Sequence, residues 1–440
     1  PDIAFSVGYQ SKAMSKIRDK SVRVPPLFIS ILYSVVWALK NYGQLGRDFS
    51  RTDFLLLVGS ANQEKTVTPI LKALKKKRSR VMLLCFSGRN YVSGCILKFG
   101  LTDVILALLL ILARRKNLNQ LTSSKLTSYQ FKRDYKRLLE VYFFLALFDR
   151  IIPNKSGVVL LSNDHTAMCR AFCLVASMKG WKTAYVQHAS VTSWFPQLTF
   201  DAAFLDGEAS LLEYKASSVN PRHAFVSTDV VLVGMQNESF QEWDADRLIK
   251  VGLALNKLFE LERVIELIKA LSRHSDFTIV VRLHPSMSMS EISNELVAVG
   301  ANVELHSASE VPISAFLKDI MFLIAGDSSI HLETLLTGIP SYYHQFDKSL
   351  KDYYGFVKNG AVPDLPNPLP DDLSELLCIS LTQFQALKKY SASFGSEWMN
   401  LESEIIAEGL IAMLEHRDGV ASLKERYLGL CLVQEDGNDG

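Results

Sequence analysis

The apolar residues of the first half of the chain come in short unbroken runs separated by longer stretches of mixed polarity. Phe54–Gly59 (FLLLVG), Val81–Phe86 (VMLLCF), Val158–Leu161 (VVLL), Thr183–Val186 (TAYV) and Ala202–Leu205 (AAFL) each read as a strand apolar on both faces. Between them, helical spacing predicts helices near Glu64–Lys77, 101–115 and 123–150, from the SNDHT stretch to Lys179, and after Asp206-Gly207-Glu208. The second half repeats the alternation. Val230–Gly234, Val251–Leu255, Phe277–Leu283, Val303–Leu305, Met321–Ala325 and Ser341–His344 read as strands. Lys257–Leu271, a segment closed by Phe316–Ile320, and Ile330–Leu336 read as helices. A Pro- and Asp-rich stretch from Pro363 (PDLPNPLPDD) breaks the pattern, helices follow from about 373 to 427, and the terminal QEDGNDG reads as disordered.

Continuous apolar strands alternating with helices are the signature of parallel sheets covered on both faces. The expected fold class is therefore α/β, with two Rossmann-like lobes whose parallel sheets face a cleft. The lobes are placed at 1–228 and 229–440, with the last helices able to cross back to the first lobe. The length of 440 residues suits two or three domains. With 48% hydrophobic and 21% charged residues, a disordered chain is excluded.

Net charge changes this picture only when the chain is divided. The total of +2 conceals 32 Lys and Arg against 15 Asp and Glu in residues 1–230, leaving 16 against 31 in the remainder. A basic half at +17 is thus joined to an acidic half at −15. The basic half implies an anionic partner: membrane, nucleic acid or acidic polymer. Two apolar runs, Pro25–Leu39 and Leu101–Ala113, fall short of the roughly 20 residues of a spanning helix. Each suits a buried core helix, and their basic flanks, including Arg114, Arg115 and Lys116, also suit in-plane contact with anionic lipid. Six cysteines are too few for a disulfide scaffold of this size and read as reduced, buried thiols. The sequence starts at Pro1 and leaves open whether a targeting segment precedes it.

Polar motifs gather where strands end, which is where such folds bind ligands. Gly326-Asp327-Ser328-Ser329 follows MFLIA and opens a helix. Small polar residues there leave helical N–H groups available to a phosphate, and Glu333 lies one turn on, within reach of a ribose hydroxyl. The same residues suit an ordinary N-cap. Arg282-Leu283-His284-Pro285 ends FTIVVRL; alternation sends Arg282 and His284 to one face, and Pro285 fixes the exit of the chain. An imidazole there can neutralise or protonate a departing phosphate, or simply cap the strand end.

The first half supplies Asn163-Asp164-His165, Gln187-His188-Ala189-Ser190 and Asp206-Gly207-Glu208. His188 and Asp206 are the candidates for base or nucleophile. Asp164, His165, Gln187, Ser190 and Glu208 are acceptor-side candidates, although Asp164 also suits a helix cap, Glu208 a first helical turn and Asp201 a strand start. Asp244-Ala245-Asp246 matches a metal-binding DxD in form, but no strand precedes it and it reads as a helix start. No metal or other cofactor is expected. Neither phosphate-loop fingerprint nor nucleic-acid module is present, which argues against ATPase, dehydrogenase and nucleic-acid-binding readings.

RLHP at 282–285 followed by GDSSIHLETLLTGIP at 326–340 resembles the donor lobe of GT-B glycosyltransferases of bacterial surface polysaccharides. The His-Pro and Ser-Ser pairs resemble the two motifs of bacterial sialyltransferases and related Kdo transferases. QHASVTSWFPQLTFDAAFLDGE at 187–208 is similar to N-lobe segments of polysaccharide transferases. The likeness covers mainly 183–345. It implies a GT-B fold and transfer of an acidic ulosonic sugar, of Kdo or sialic acid type, from a CMP-activated donor to a surface glycan. It places His284, Pro285, Ser328 and Ser329 on the CMP moiety. The sialyltransferases carry an acid-acid-Gly motif; Leu205-Asp206-Gly207 keeps Asp-Gly and has Leu in place of the first acid. CDP-glycerol and CDP-ribitol phosphotransferases share R-x-H-P and Asp-x-Ser-Ser, UDP-hexose transferases are a third alternative, and a non-catalytic glycan-binding scaffold a fourth. The implied partners are a nucleotide-sugar donor and a glycan or lipid-linked acceptor. The implied location is cytoplasmic, peripheral on the inner face of the membrane.

Overall fold

The computed structural model describes residues 27–43, 48–86, 94–118, 129–163, 166–193, 195–216, 229–236, 249–256, 259–274, 277–284, 287, 295–296, 302–308, 310–347, 351–415, 419–423, 427 and 430–433. In chain order the first elements are α1 (Leu27–Lys40), β1 (Phe54–Val58), α2 (Ala61–Lys76), β2 (Val81–Phe86), β3 (Cys95–Leu97), α3 (Leu101–Ala113) and α4 (Tyr129–Ile151). Next come β4 (Val158–Leu161), α5 (Ala167–Met178), β5 (Lys182–Val186), β6 (Ala202–Leu205), α6 (Glu208–Lys215) and β7 (Asp229–Leu232). The second series is β8 (Ile249–Ala254), α7 (Leu261–Leu271), β9 (Phe277–Leu283), β10 (Val303–Ser307), α8 (Ile313–Asp319), β11 (Phe322–Ala325), α9 (Ile330–Leu336) and β12 (Ser341–Tyr343). The chain closes with α10 (Leu381–Tyr390), α11 (Glu402–Leu414) and β13 (Cys431–Val433).

These elements form two compact α/β units. The first is built from the described residues through Asp206, Ser210–Val233 and Leu401 onward; the second from Gly207–Ala209 and Gly234–Asn400. The first sheet has the order β3-β2-β1-β4-β5-β6-β7-β13. Its first seven strands run parallel, and β13 pairs antiparallel with β7, Cys431 opposite Leu232. The central strands are apolar because both faces are covered: every residue of β1, β4 and β6 is buried. The sequence reading starts the second half with β7; in the structure β7 pairs with β6, so the first sheet extends to residue 232. Two elements, β3 and β13, are strands that the reading did not anticipate, because three residues are too few for a period to show.

α2 begins earlier than its apolar spacing suggests because of local capping. Ser60 Oγ accepts from Gln63 N at 3.3 Å, and Gln63 Oε1 accepts from Gly59 N at 2.7 Å. α11 returns to the first unit and packs on α2. Lys76 and Lys77 pair there with Glu404 and Glu408 at 3.2 and 2.8 Å. Gly409 allows the approach to the sheet, since a Cβ there would lie 2.8 Å from Phe204 Cζ.

Of the two readings the apolar runs allow, the buried core helix is not what the structure has. The described part of the first run lies in α1 and the second is α3; both pack on α4, and each shows a wide apolar face to the outside. Trp37 anchors α1 through an aromatic cluster, 5.3 Å from Phe99, 5.5 Å from Phe144 and 5.6 Å from Phe86. Asp103, in the first turn of α3, is buried and takes a two-pronged ion pair from Arg150 at 2.8 and 2.7 Å. Among the described residues, no helix is long and apolar enough to cross a membrane.

The second sheet has the order β10-β9-β8-β11-β12, all parallel. The chain therefore works outward from β8 in one direction, then returns to β8's other side with β11. That reversal opens a crevice at the carboxyl ends of β8 and β11. One core cluster joins this sheet to α7 through Val264, Leu267, Ile268 and Leu271; another joins it to α8 through Phe316, Leu317 and Ile320.

Candidate functional site

Four strand ends line the carboxyl edge of the second sheet. Asn256 follows β8, His284 follows β9, Gly326–Ser329 follow β11, and His344–Asp347 follow β12. Backbone bonds set their relative height: Leu255 N donates to Arg282 O at 3.0 Å, and His344 N to Ala325 O at 2.8 Å. Asn256 Nδ2 donates to Asp347 Oδ2 at 3.3 Å, bridging the loops after β8 and β12. Gly326 lies between them; a Cβ there would sit 3.4 Å from His344 O and 3.6 Å from Asn256 Nδ2, ordinary contact distances.

The loop after β11 is held from below by a residue the sequence reading passed over. His331, in the first turn of α9, is fully buried. Its Nε2 is 2.9 Å from Gly326 O and its Nδ1 is 2.6 Å from Ser341 Oγ. A carbonyl only accepts, so Nε2 carries the proton, Nδ1 accepts, and the Ser341 hydroxyl donates. Burial pushes the imidazole down to about 4, so it is neutral at physiological pH. His331→Ala is expected to cost about 2–4 kcal/mol, because two buried polar groups lose their partner. Denaturant unfolding checks this; an unchanged midpoint would remove His331 from this role.

Asp327 ties the same loop sideways. It accepts from Tyr353 N at 2.6 Å and from Tyr343 Oη at 3.1 Å. Burial nevertheless pushes its carboxyl up to about 6, with Asp352 and Asp347 adding like charge. Asp327 is thus a loop fastener and not the cap of α9. The N-cap is Ser329, which makes no side-chain capping bond, and Ser328 Oγ accepts weakly from Ile330 N at 3.4 Å. Glu333 is half-buried on α9, and its charge acts on Arg282.

Arg282, inside β9, and His284, one residue past its end, sit in different surroundings. Arg282 is buried; its Nη1 donates to Val311 O at 2.8 Å and its guanidinium lies 5.4 Å from the Phe316 ring centre. It supports α8 against the sheet. His284 is half-buried beyond the last strand residue. Pro285, Asp164, His165 and the Asp244-Ala245-Asp246 stretch lie outside the described residues.

In the first unit a glutamine organises the site. Gln187 Oε1 accepts from Asp206 N at 3.0 Å, and its Nε2 donates to Ser210 Oγ at 2.9 Å and Ala189 O at 3.0 Å. The ends of β5, β6 and the start of α6 are held together by that one side chain. Asp206 is the perturbed group here. Burial, then the negative charge of Glu402 on α11, pushes its carboxyl up to about 8. His188 and Ser190 are half-buried just after Gln187, whereas Glu208 is exposed in the first turn of α6. Asp201, directly before β6, is a structural residue, its carboxylate accepting from Thr183 N and Oγ1 at 2.7 and 2.8 Å.

Among the described residues, one cluster has metal-ligating composition: Glu304, His306 and Asp319. Lys250 Nζ already sits 2.9 Å from Glu304 and 3.0 Å from Asp319, so an ammonium fills the place a cation would take.

No protein-family model matches the sequence, and no curated protein sequence matches it. Solved structures do share the fold. The chain is similar to MnaA from S. aureus solved with UDP, at 13% identity, 83% of this chain and 97% of that one, with a TM-score of 0.52. It is similar to a candidate UDP-N-acetylglucosamine 2-epimerase from Listeria monocytogenes, at 12% identity, 83% and 98% coverage, and a TM-score of 0.54. A further UDP-N-acetylglucosamine 2-epimerase gives 14% identity, 89% and 100% coverage, and a TM-score of 0.52. At such identities the likeness is one of fold: two Rossmann-like units of GT-B type.

Proposed function

We propose that this chain is a glycosyltransferase that moves an acidic ulosonic sugar, of Kdo or sialic acid type, from a CMP-activated donor to a surface-glycan acceptor. One observation carries the reading. The two motifs sit at the ends of β9 and β11, on either side of β8, where the strand order reverses. Neighbouring strands are about 4.8 Å apart, so the motifs are roughly 10 Å apart along the sheet edge, with Asn256 between them.

In this reading the donor lies across the end of β8. Ser328, Ser329 and the amides of their loop take the phosphate, and His284 donates a proton or positive charge as it departs. The carboxylates at this edge repel phosphate, so Asp347, held by Asn256, takes hydroxyls of the ribose or sugar instead. Glu333 serves the same kind of group. In the first unit Asp206 takes the proton of the acceptor hydroxyl. Its raised pKa suits a base working near neutrality, since a stronger base is obtained without losing the ionised form altogether. No step in this scheme requires a metal. The acceptor is a glycan or lipid-linked glycan at the inner face of a membrane.

A ligand series tests the donor. CMP at about 100 times its Kd is expected to stabilise the folded protein by about 2.7 kcal/mol, read as a rise of several degrees in Tm. UDP and CDP-glycerol are the comparison ligands. A response to UDP or CDP-glycerol with none to CMP would overturn the donor assignment.

A further inference from the structure

α1 and α3 are built inside out. On α1 the residues facing the protein are Ser30, Ser34 and Ala38, spaced four apart, while Phe28, Ile29, Leu32, Tyr33, Val36 and Leu39 face outward. Phe28 is 75% exposed and Tyr33 64%. On α3 the inward residues are Asp103, Val104, Ala107 and Ile111, and the outward ones are Leu101, Ile105, Leu106, Leu109 and Leu112. A helix bathed by water hides its large apolar side chains. α1 hides serine and alanine and α3 hides Val104, Ala107 and Ile111, yet both turn a second set of large apolar side chains out.

The two faces belong to one corner of the first unit. Tyr42, at the end of α1, bridges to Phe99, two residues before α3, and both helices lie on α4. Of the 19 large apolar side chains exposed among the described residues, 11 lie on α1 and α3. The rim of this corner is basic. Lys40, Arg114, Arg115 and Lys116 are exposed around it, and the one acid in the described stretches 27–43 and 94–118 is Asp103, buried and paired with Arg150. At 14 and 13 residues the helices span roughly 20 Å each, too short to cross a bilayer and suited to lying in its surface.

We propose that this corner inserts into the interface of an anionic lipid bilayer, with the outward faces of α1 and α3 among the acyl chains and the Lys/Arg rim on the headgroups. Small residues let α1 lie close on α4 as helices do inside lipid, and the wide apolar face takes the place of a core. The basic rim selects anionic headgroups and adds an attraction that salt weakens. The inference rests on the exposed faces alone and does not depend on the donor assignment.

Co-sedimentation of the full chain with vesicles tests it. Wild type is expected to partition onto phosphatidylcholine vesicles containing 30% phosphatidylglycerol, and at least tenfold less onto phosphatidylcholine alone. Leu32→Glu with Val36→Glu, or Ile105→Glu with Leu109→Glu, are expected to reduce binding at least tenfold with Tm unchanged, since all four positions are already exposed. Arg114→Glu with Arg115→Glu is expected to abolish the preference for phosphatidylglycerol. Equal binding by wild type and the apolar-face variants would overturn the proposal, as would absence of binding to either vesicle. A wild-type dimer in solution that the same substitutions dissociate would assign the face to a second copy and overturn it too.

Discussion

His284→Ala is expected to lower transfer by about 10²–10⁴-fold while leaving the unfolding transition in place. The residue stands one position past β9, half-buried, where the strand has already completed its ladder. Truncating it removes a donor from the sheet edge and none of the packing that Leu283 and Val281 supply to the core. The loss should fall on kcat more than on KM, because charge develops on the departing phosphate only as the bond breaks. His284→Gln is the informative companion: it keeps a hydrogen-bond donor but has no cationic form, so it should recover donor binding without recovering rate. Transfer unchanged in both variants would remove His284 from the reaction and favour a non-catalytic scaffold.

Asp206→Asn is expected to cost a similar 10²–10⁴-fold in rate, and it carries a second readout. The ordinary carboxyl value is 3.8 and the folded value is about 8, so between those two pH values the folded state holds a proton that the unfolded state has released. Stability contributed by that proton is present in full below about 3.8 and is lost as pH rises through about 8. Asparagine cannot ionise. The variant should therefore match wild type near pH 4 and exceed it in stability near pH 9, and thermal unfolding across that range checks the sign. As a base, Asp206 acts ionised, so wild-type activity should climb with pH through the same value. Glu402→Gln removes the neighbouring charge and should move that limb to lower pH. A rate independent of pH between 6 and 9 would exclude Asp206 as the base.

Most of the fold was legible because buried parallel strands have no polar face to disguise them. FLLLV, VVLL and FLIA announce themselves whichever side they show. What stayed hidden depended on distant partners. Three-residue strands such as β3 and β13 exist because a neighbour offers a ladder. α1 and α3 could be read as core helices because hydrophobicity says nothing about which side of a helix is covered. The candidate site divides the same way. His284 and the β11 loop could be found from polarity directly after a strand, and that signal would also have found Asn256 and Asp347. His331 could not, since a lone histidine among leucines reads as core until its two partners are seen. Arg282 shows the converse: alternation paired it with His284, but Phe316 and Val311 claim its side chain.

The return of α11 to the first unit has a consequence for synthesis. The second unit is an insertion, complete at Asn400, whereas the first lacks its last helix until translation passes Leu414. The later-encoded unit can therefore finish folding first, in reverse of the usual amino-to-carboxyl order. Glu402, whose charge helps to raise Asp206, is encoded almost two hundred positions after it. A nascent chain that ends before Glu402 accordingly lacks that neighbouring charge on Asp206.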